Sequence, residues 1–126
     1  MGGKNYLIKL GKMLINLSNH PSTSWKKEQL KAAQDQYGQI IDWLFPTVDA
    51  HWSSQQITQL ADTLLKSFKS KCNPADATVH IMGEMTLTFA LVHRLQRAGF
   101  SCIASCSHRS KDKNEFKFIR FRAYSL

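Results

Sequence analysis

Apolar and polar positions along the chain change period several times, and each change marks an element. Met13-Leu-Ile-Asn-Leu17 is a short apolar run that stops at Ser18-Asn19-His20-Pro21. The length of the run and the proline behind it predict a buried strand. Ser22, Thr23 and Ser24 offer N-caps for a helix from Trp25 to Tyr37, closed by Gly38. Ile40 to Phe45 reads as a second strand, cut by Pro46. Ser53-x-x-Gln56 has the form of a capping box. Behind it Ile57, Leu60, Ala61, Leu64, Leu65 and Phe68 form a stripe at helical spacing. The lysine-rich stretch 67–74 reads as a loop. Thr78 to Met82 predicts a third strand that runs through Gly83-Glu84 straight into a helix. Leu87, Ala90, Leu91, Leu95 and Ala98 mark the buried face of that helix, and Gly99 sits where a left-handed stop belongs. Strand Phe100 to Ser105, a polar turn from Ser107 to Asn114 and strand Phe116 to Tyr124 predict an antiparallel hairpin.

Three successive strand–helix–strand units imply right-handed crossovers and a parallel core sheet with helices on both faces. The expected fold class is therefore α/β: a Rossmann-like three-layer sandwich, sheet order about 2-1-3-4-5, with an antiparallel C-terminal edge hairpin. Residues 13–126 form one domain on this reading, and residues 1–12 an N-terminal extension. The 126-residue length suits one domain that needs no disulfide or metal to fold. No apolar stretch approaches a membrane span, and Leu7 to Leu10 is too short and charged for a secretory h-region. The first residues, Met-Gly-Gly-Lys-Asn-Tyr, also lack the hydroxyl residue of a myristoylation signal. A soluble, cytoplasmic protein without membrane association is expected. Cys72, Cys102 and Cys106 have no Cys-x-x-Cys spacing, so they read as reduced structural thiols, and neither metal nor cofactor is expected.

Charge changes the picture at the C-terminal end. The chain carries a formal net charge of +8, and residues 94–126 hold eight Lys/Arg against only Asp112 and Glu115. Such a field attracts a polyanion, although lysines on an edge strand also serve to discourage edge pairing. In a doubly wound sheet, ligands bind outside the carboxyl ends of the strands at the switch point between strands 1 and 3. Three loops meet there. The first supplies Ser18, Asn19, His20, Ser22, Ser24 and Trp25, an indole on which a base could stack. The second supplies Gly83, Glu84 and Thr86 at a helix N-terminus, a ready anion site that Gly83 would let a phosphate approach. The third supplies Ser105, Ser107, His108 and Arg109. Two readings of Ser22–Ser24 stay open, helix capping and ligand contact, and Glu84 could serve simply to complement the helix dipole. His80 and His93 read as structural histidines. The G-x-x-x-x-G-K-[ST], G-x-G-x-x-G and G-x-S-x-G patterns are all missing, so ATPase, dinucleotide oxidoreductase and elbow-type hydrolase lose their usual support.

Leu14-Ile-Asn-Leu-Ser-Asn-His-Pro21 and Val79-His-Ile-Met-Gly-Glu-Met-Thr86, with Leu-Thr-Phe-Ala-Leu-Val92 behind it, carry a resemblance. From Met13 to Tyr124 the chain resembles small stand-alone CRISPR-associated proteins with a CARF-like Rossmann core, the type III accessory ring nucleases. The resemblance implies a homodimer that binds cyclic oligoadenylate, foremost the tetra-adenylate ring, and cleaves it without metal. Cleavage would proceed by attack of a ribose 2′-OH, leaving a 2′,3′-cyclic phosphate. His20, His108 and Glu84 are then the candidate proton-transfer groups and Arg109 the charge neutraliser. Ser18, Asn19 and the Gly83–Thr86 amides would hold ribose and phosphate. A sensor or sponge that binds the ring uncut is the first alternative. An accessory protein that binds nucleic acid through the basic hairpin, Lys111 to Arg122, is the second.

Overall fold

The computed structural model describes residues 12–112 and 114–125, so the expected extension lies almost wholly outside the described residues. Strand β1 (Met13–Ser18) leads through a single 3-10 turn (Ser22–Ser24) to helix α1 (Lys27–Tyr37). Then follow β2 (Gln39–Leu44), α2 (Ser54–Lys71), β3 (Ala77–Met82), α3 (Met85–Arg97), β4 (Ser101–Arg109) and β5 (Phe116–Ala123). The strands form one sheet in the order β2-β1-β3-β4-β5. The first three pairings are parallel, and β4–β5 is antiparallel. The fold class inferred from periodicity is the one observed.

Alternation along the central strands splits the core in two. Ile15, Leu17, Val79, Ile81 and Cys102 join Ile57, Ala61, Phe68, Leu87, Leu91 and Leu95 from α2 and α3 on one face. Leu14, Ile103 and Phe121 join Trp25 and Ala33 on the other, where α1 lies. Two-sided burial explains why β1 and β3 read as apolar runs rather than half-buried strands. Burial also pushes the Cys102 thiol up to about 12, so it stays protonated and inert. All three cysteines are free.

The elements differ from the expected spans in three places. Helix α1 starts at Lys27 with Lys26 as its N-cap, so Ser22–Ser24 do not cap it and form the 3-10 turn instead. Helix α2 runs on through Lys71, because buried Phe68 continues its stripe while the lysines around it face water. Strand β4 extends to Arg109. It pairs with β3 only from Ser101 to Ile103, then leaves the parallel sheet and continues as a two-stranded ribbon with β5. A bulge between Cys106 and Ser107 re-aims the ribbon.

The capping box at α2 is complete. The Gln56 amide donates to Ser53 Oγ at 3.2 Å, and the Ser53 amide donates to Gln56 Oε1 at 2.8 Å. Ser53→Ala should therefore cost about 1 kcal/mol, read as a lower urea midpoint at unchanged slope.

Candidate functional site

The carboxyl ends of β1, β2 and β3 share a polar row on the α1 face. Asp42, Asn16 and His80 are register partners across the three strands. Asn16 and His80 are buried among apolar neighbours and must therefore find partners within the protein. Asn16 Nδ2 donates to Asp42 Oδ1 at 2.8 Å and to the His20 carbonyl at 2.9 Å. Its Oδ1 accepts from Ser18 Oγ and from His80 Nδ1, both at 2.8 Å. All four hydrogen-bonding positions of the amide are used, and the Asp42 carboxylate fixes which end is nitrogen. His80 Nδ1 therefore carries the ring proton, and Nε2 accepts from Ser105 Oγ at 2.6 Å. Gln29 Nε2 donates to the same hydroxyl at 3.0 Å. Burial, with His20 nearby adding a smaller effect, lowers the His80 pKa to about 4, so the ring is neutral at physiological pH.

This network also shapes the first loop. The Trp25 indole donates to the His20 carbonyl at 3.0 Å and packs edge-on against His80. Trp25 is 7% exposed, so its role is to close the loop onto the sheet rather than to offer an open stacking face. Ser22 donates through its amide and hydroxyl to Asp42 at 2.9 and 2.6 Å. Partial burial raises the Asp42 pKa, but hydrogen bonds from Ser22 and Asn16 outweigh it and hold the carboxyl below its ordinary value. Ser24 Oγ donates to the Pro21 carbonyl at 2.7 Å. The Asn19 and His20 side chains are left at the surface.

At the second loop, Glu84 is the N-cap of α3. Its carboxylate accepts from Thr86 Oγ1 at 2.6 Å and from the Leu87 amide at 2.8 Å. Those two bonds lower its pKa, so Glu84 is an anion held at the α3 N-terminus, the place where a phosphate was expected. Gly83 makes room for the Phe45 ring, not for a ligand: a Cβ there would lie 2.3 Å from Phe45 Cζ. On the hairpin, Arg109 donates to Asn114 Oδ1 and lies over the Phe116 ring.

Two clefts flank His20 and Met82. The first, about 600 Å3, runs along α3 past Met85, Phe89 and His93 to Tyr124. Its wall is apolar: Met85 is 82% and Phe89 79% exposed. Thr88 lines it, but its hydroxyl is buried beneath the surface, without a hydrogen-bond partner among the described residues. The second cleft, also about 600 Å3, lies between the first loop and the start of the ribbon. Ser18, His20, Ser24, Trp25, Ser105 and Ser107 line it together with His80, Lys26 and Phe118. Of the residues expected to act in catalysis, His20 alone borders these two clefts. Glu84 and Thr86 line a separate cleft across α3, toward Trp52. His108 and Arg109 line none of the three.

Sequence reasoning passed over Asn16, Asp42 and Gln29, and treated His80 as structural. A signal was available in the alternation. Asn16 and His80 occupy inward positions of the two most apolar strands, where a polar residue needs a partner.

Among the described residues no helix is long and apolar enough to cross a membrane, and no cluster of His, Cys, Asp and Glu could hold a metal ion. No curated protein and no solved structure matches the chain. A model described as the Uncharacterized protein MJ1673 family matches residues 12–122, which cover every strand and helix named above except the last residue of β5. The chain belongs to the MJ1673 family.

Proposed function

We propose that the protein is a CARF-like, metal-independent ring nuclease. It binds a cyclic oligoadenylate at the carboxyl edge of its parallel strands, opens the ring and so switches off type III CRISPR signalling. The observation that carries this reading is the position of His20 between two clefts of nucleotide size at the switch point of a doubly wound sheet. Several features suit an adenylate. Asn19 offers hydrogen bonds on one side, and Lys26 and Ser107 offer charge and hydrogen bonds on the other. The exposed Met85 and Phe89 wall gives a base an apolar surface, and a second copy across a two-fold axis would double the basic field.

Cleavage on this reading needs a ribose 2′-OH held in line with the scissile phosphorus. Asn19 and Ser107 would hold ribose and phosphate, and His20 would move the proton. A binder that leaves the ring uncut is the second reading. It is favoured by the engagement of Glu84 with its own helix and of Arg109 with Asn114, which removes two of the expected catalytic groups.

The test is incubation with cyclic tri-, tetra- and hexa-adenylate in EDTA, with products identified by mass spectrometry and binding followed by thermal shift. Linear products ending in 2′,3′-cyclic phosphate are expected, and His20→Ala should slow their release about a hundredfold while the thermal shift persists. A shift without products would establish the second reading. Neither shift nor products would sink both and direct attention to RNA binding by the basic hairpin.

A further inference from the structure

The hydrogen-bond row ends on a hydroxyl, and proton bookkeeping along it gives that hydroxyl unusual chemistry. Asp42 accepts from Asn16, Asn16 accepts from His80 Nδ1, and His80 Nε2 is left with a lone pair facing Ser105. Gln29 donates to Ser105 Oγ, so the single hydroxyl proton lies toward His80. One Oγ lone pair then has no partner among the described residues. Ser105 is half-buried and lines the cleft bounded by Trp25, Gln29 and Phe118. Because β4 leaves β3 after Ile103, the Ser105 amide finds only the Met82 thioether, at 3.3 Å. Sulfur is a weak acceptor that a stronger one would displace.

We propose that Ser105, His80 and Asn16 form a nucleophile–base–orienting relay in which Ser105 attacks the carbonyl carbon of an ester bound in this cleft. Nucleophile and base are within hydrogen-bond reach, and the base is oriented by a third group that Asp42 in turn fixes. An acyl group suits attack by this serine. A tetrahedral acyl intermediate develops one oxyanion charge, for which the Ser105 amide and the Gln29 side-chain amide are available donors.

The step closes on itself. Ser105 Oγ bonds to the carbonyl carbon as its proton passes to His80 Nε2. The carbon–oxygen bond to the alcohol breaks, and the departing oxygen takes that proton. Water then attacks the acyl-serine, giving its proton to His80, and Ser105 leaves with the proton returned, releasing the acid. The absence of G-x-S-x-G does not bear on this site, because the serine stands on a diverging strand rather than on a strand-to-helix turn. The inference goes beyond the nucleotide reading and stands or falls without it.

The test treats the full-length protein with a fluorophosphonate probe, followed by peptide mass spectrometry, with p-nitrophenyl butyrate hydrolysis read in parallel. A phosphonyl adduct on Ser105 and slow ester turnover are expected, both lost in S105A. H80N should slow adduct formation about a hundredfold with circular dichroism unchanged. If H80N does not fold, S105C decides: iodoacetamide near neutral pH should alkylate the introduced thiol about tenfold faster than Cys106 in the same protein. No adduct at Ser105, an adduct formed equally fast in folded H80N, or an S105C thiol no faster than Cys106 would each overturn the relay.

Discussion

Stability should fall by about 3 kcal/mol as the pH is lowered from above 7 to 4, with the loss well under way before the carboxylates begin to titrate. The cause is His80, whose pKa is lowered from 6.5 to about 4 in the folded protein, chiefly by burial. Within that window the unfolded chain binds a proton that the folded chain refuses, so the unfolding free energy rises with pH and levels off above about 6.5. Below about 4 both states are protonated and the loss is complete. Beside burial, the network explains why the resting ring does not take a proton from solvent cheaply, an obstacle that a proton handed over by Ser105 itself would not meet. Its Nδ1 already donates to Asn16, and a second proton on Nε2 would face a Ser105 hydroxyl that must turn around, with Gln29 donating to the same oxygen. Asp42 and Glu84 act in a lower window. Their folded pKa values are depressed, so their contribution is present above the unfolded value and is lost as pH falls further. Urea titrations at half-unit pH steps would separate the two windows. A folded His80→Gln variant should flatten the upper one and leave the lower one in place. A flat profile between pH 6.5 and 5 in the native protein would contradict the buried neutral imidazole.

Periodicity carried the fold because the elements that define it bury whole faces. The stripe from Ile57 to Phe68 and the two apolar strands β1 and β3 have no alternative packing that hides as much apolar surface. Boundaries failed where burial stopped deciding. The lysines around Phe68 suggest a loop by composition, yet a helix needs one buried contact per turn and Phe68 supplies it. Strand β4 beyond Ser105 has no apolar alternation, since its partner is the edge strand β5 and its side chains largely face water. Backbone pairing holds that ribbon, and backbone pairing leaves no pattern in side-chain types.

The site was less legible in roles than in residue content. The first loop and the Gly83–Glu84 turn flank the carboxyl edge. Ser105 to Arg109, expected in a third loop, lie in β4 itself, and the polar groups of the two turns serve their own backbone. Ser22 and Ser24 hold the loop's own shape, and Glu84 caps its own helix. A single sequence shows which polar residues a loop contains and is silent on which bind each other. In β1 and β3, Asn16 was passed over and His80 read as structural because both sit in apolar strands, and both are indeed buried with their polar atoms partnered. Their hydrogen bonds point to Ser105, a residue separated from His80 by a helix and a crossover, and that distance along the chain hides the pairing.

Gly83→Ala should destabilise the protein by about 3 kcal/mol and lower its melting temperature by roughly 10 °C. An alanine Cβ would lie 2.3, 2.4 and 2.5 Å from three carbons of the Phe45 ring, far inside van der Waals contact. The backbone at Gly83 is not in the left-handed region, so steric overlap and not conformational strain sets the cost. Phe45 is 4% exposed and belongs to the core that holds Leu17, Ile57 and Leu87, so its ring has little space into which to retreat. Truncating the ring tests the cause directly. Phe45→Leu alone should cost about 1 kcal/mol or more, and the double variant should be markedly more stable than the sum of the two losses implies. Additive losses would show that the glycine serves something other than Phe45. The same pair separates packing from ligand approach: if Gly83 existed to admit a phosphate, Gly83→Ala would melt normally and lose cyclic oligoadenylate binding. The contact with Phe45 predicts the reverse order of effects, a lowered melting temperature with binding retained wherever the variant remains folded.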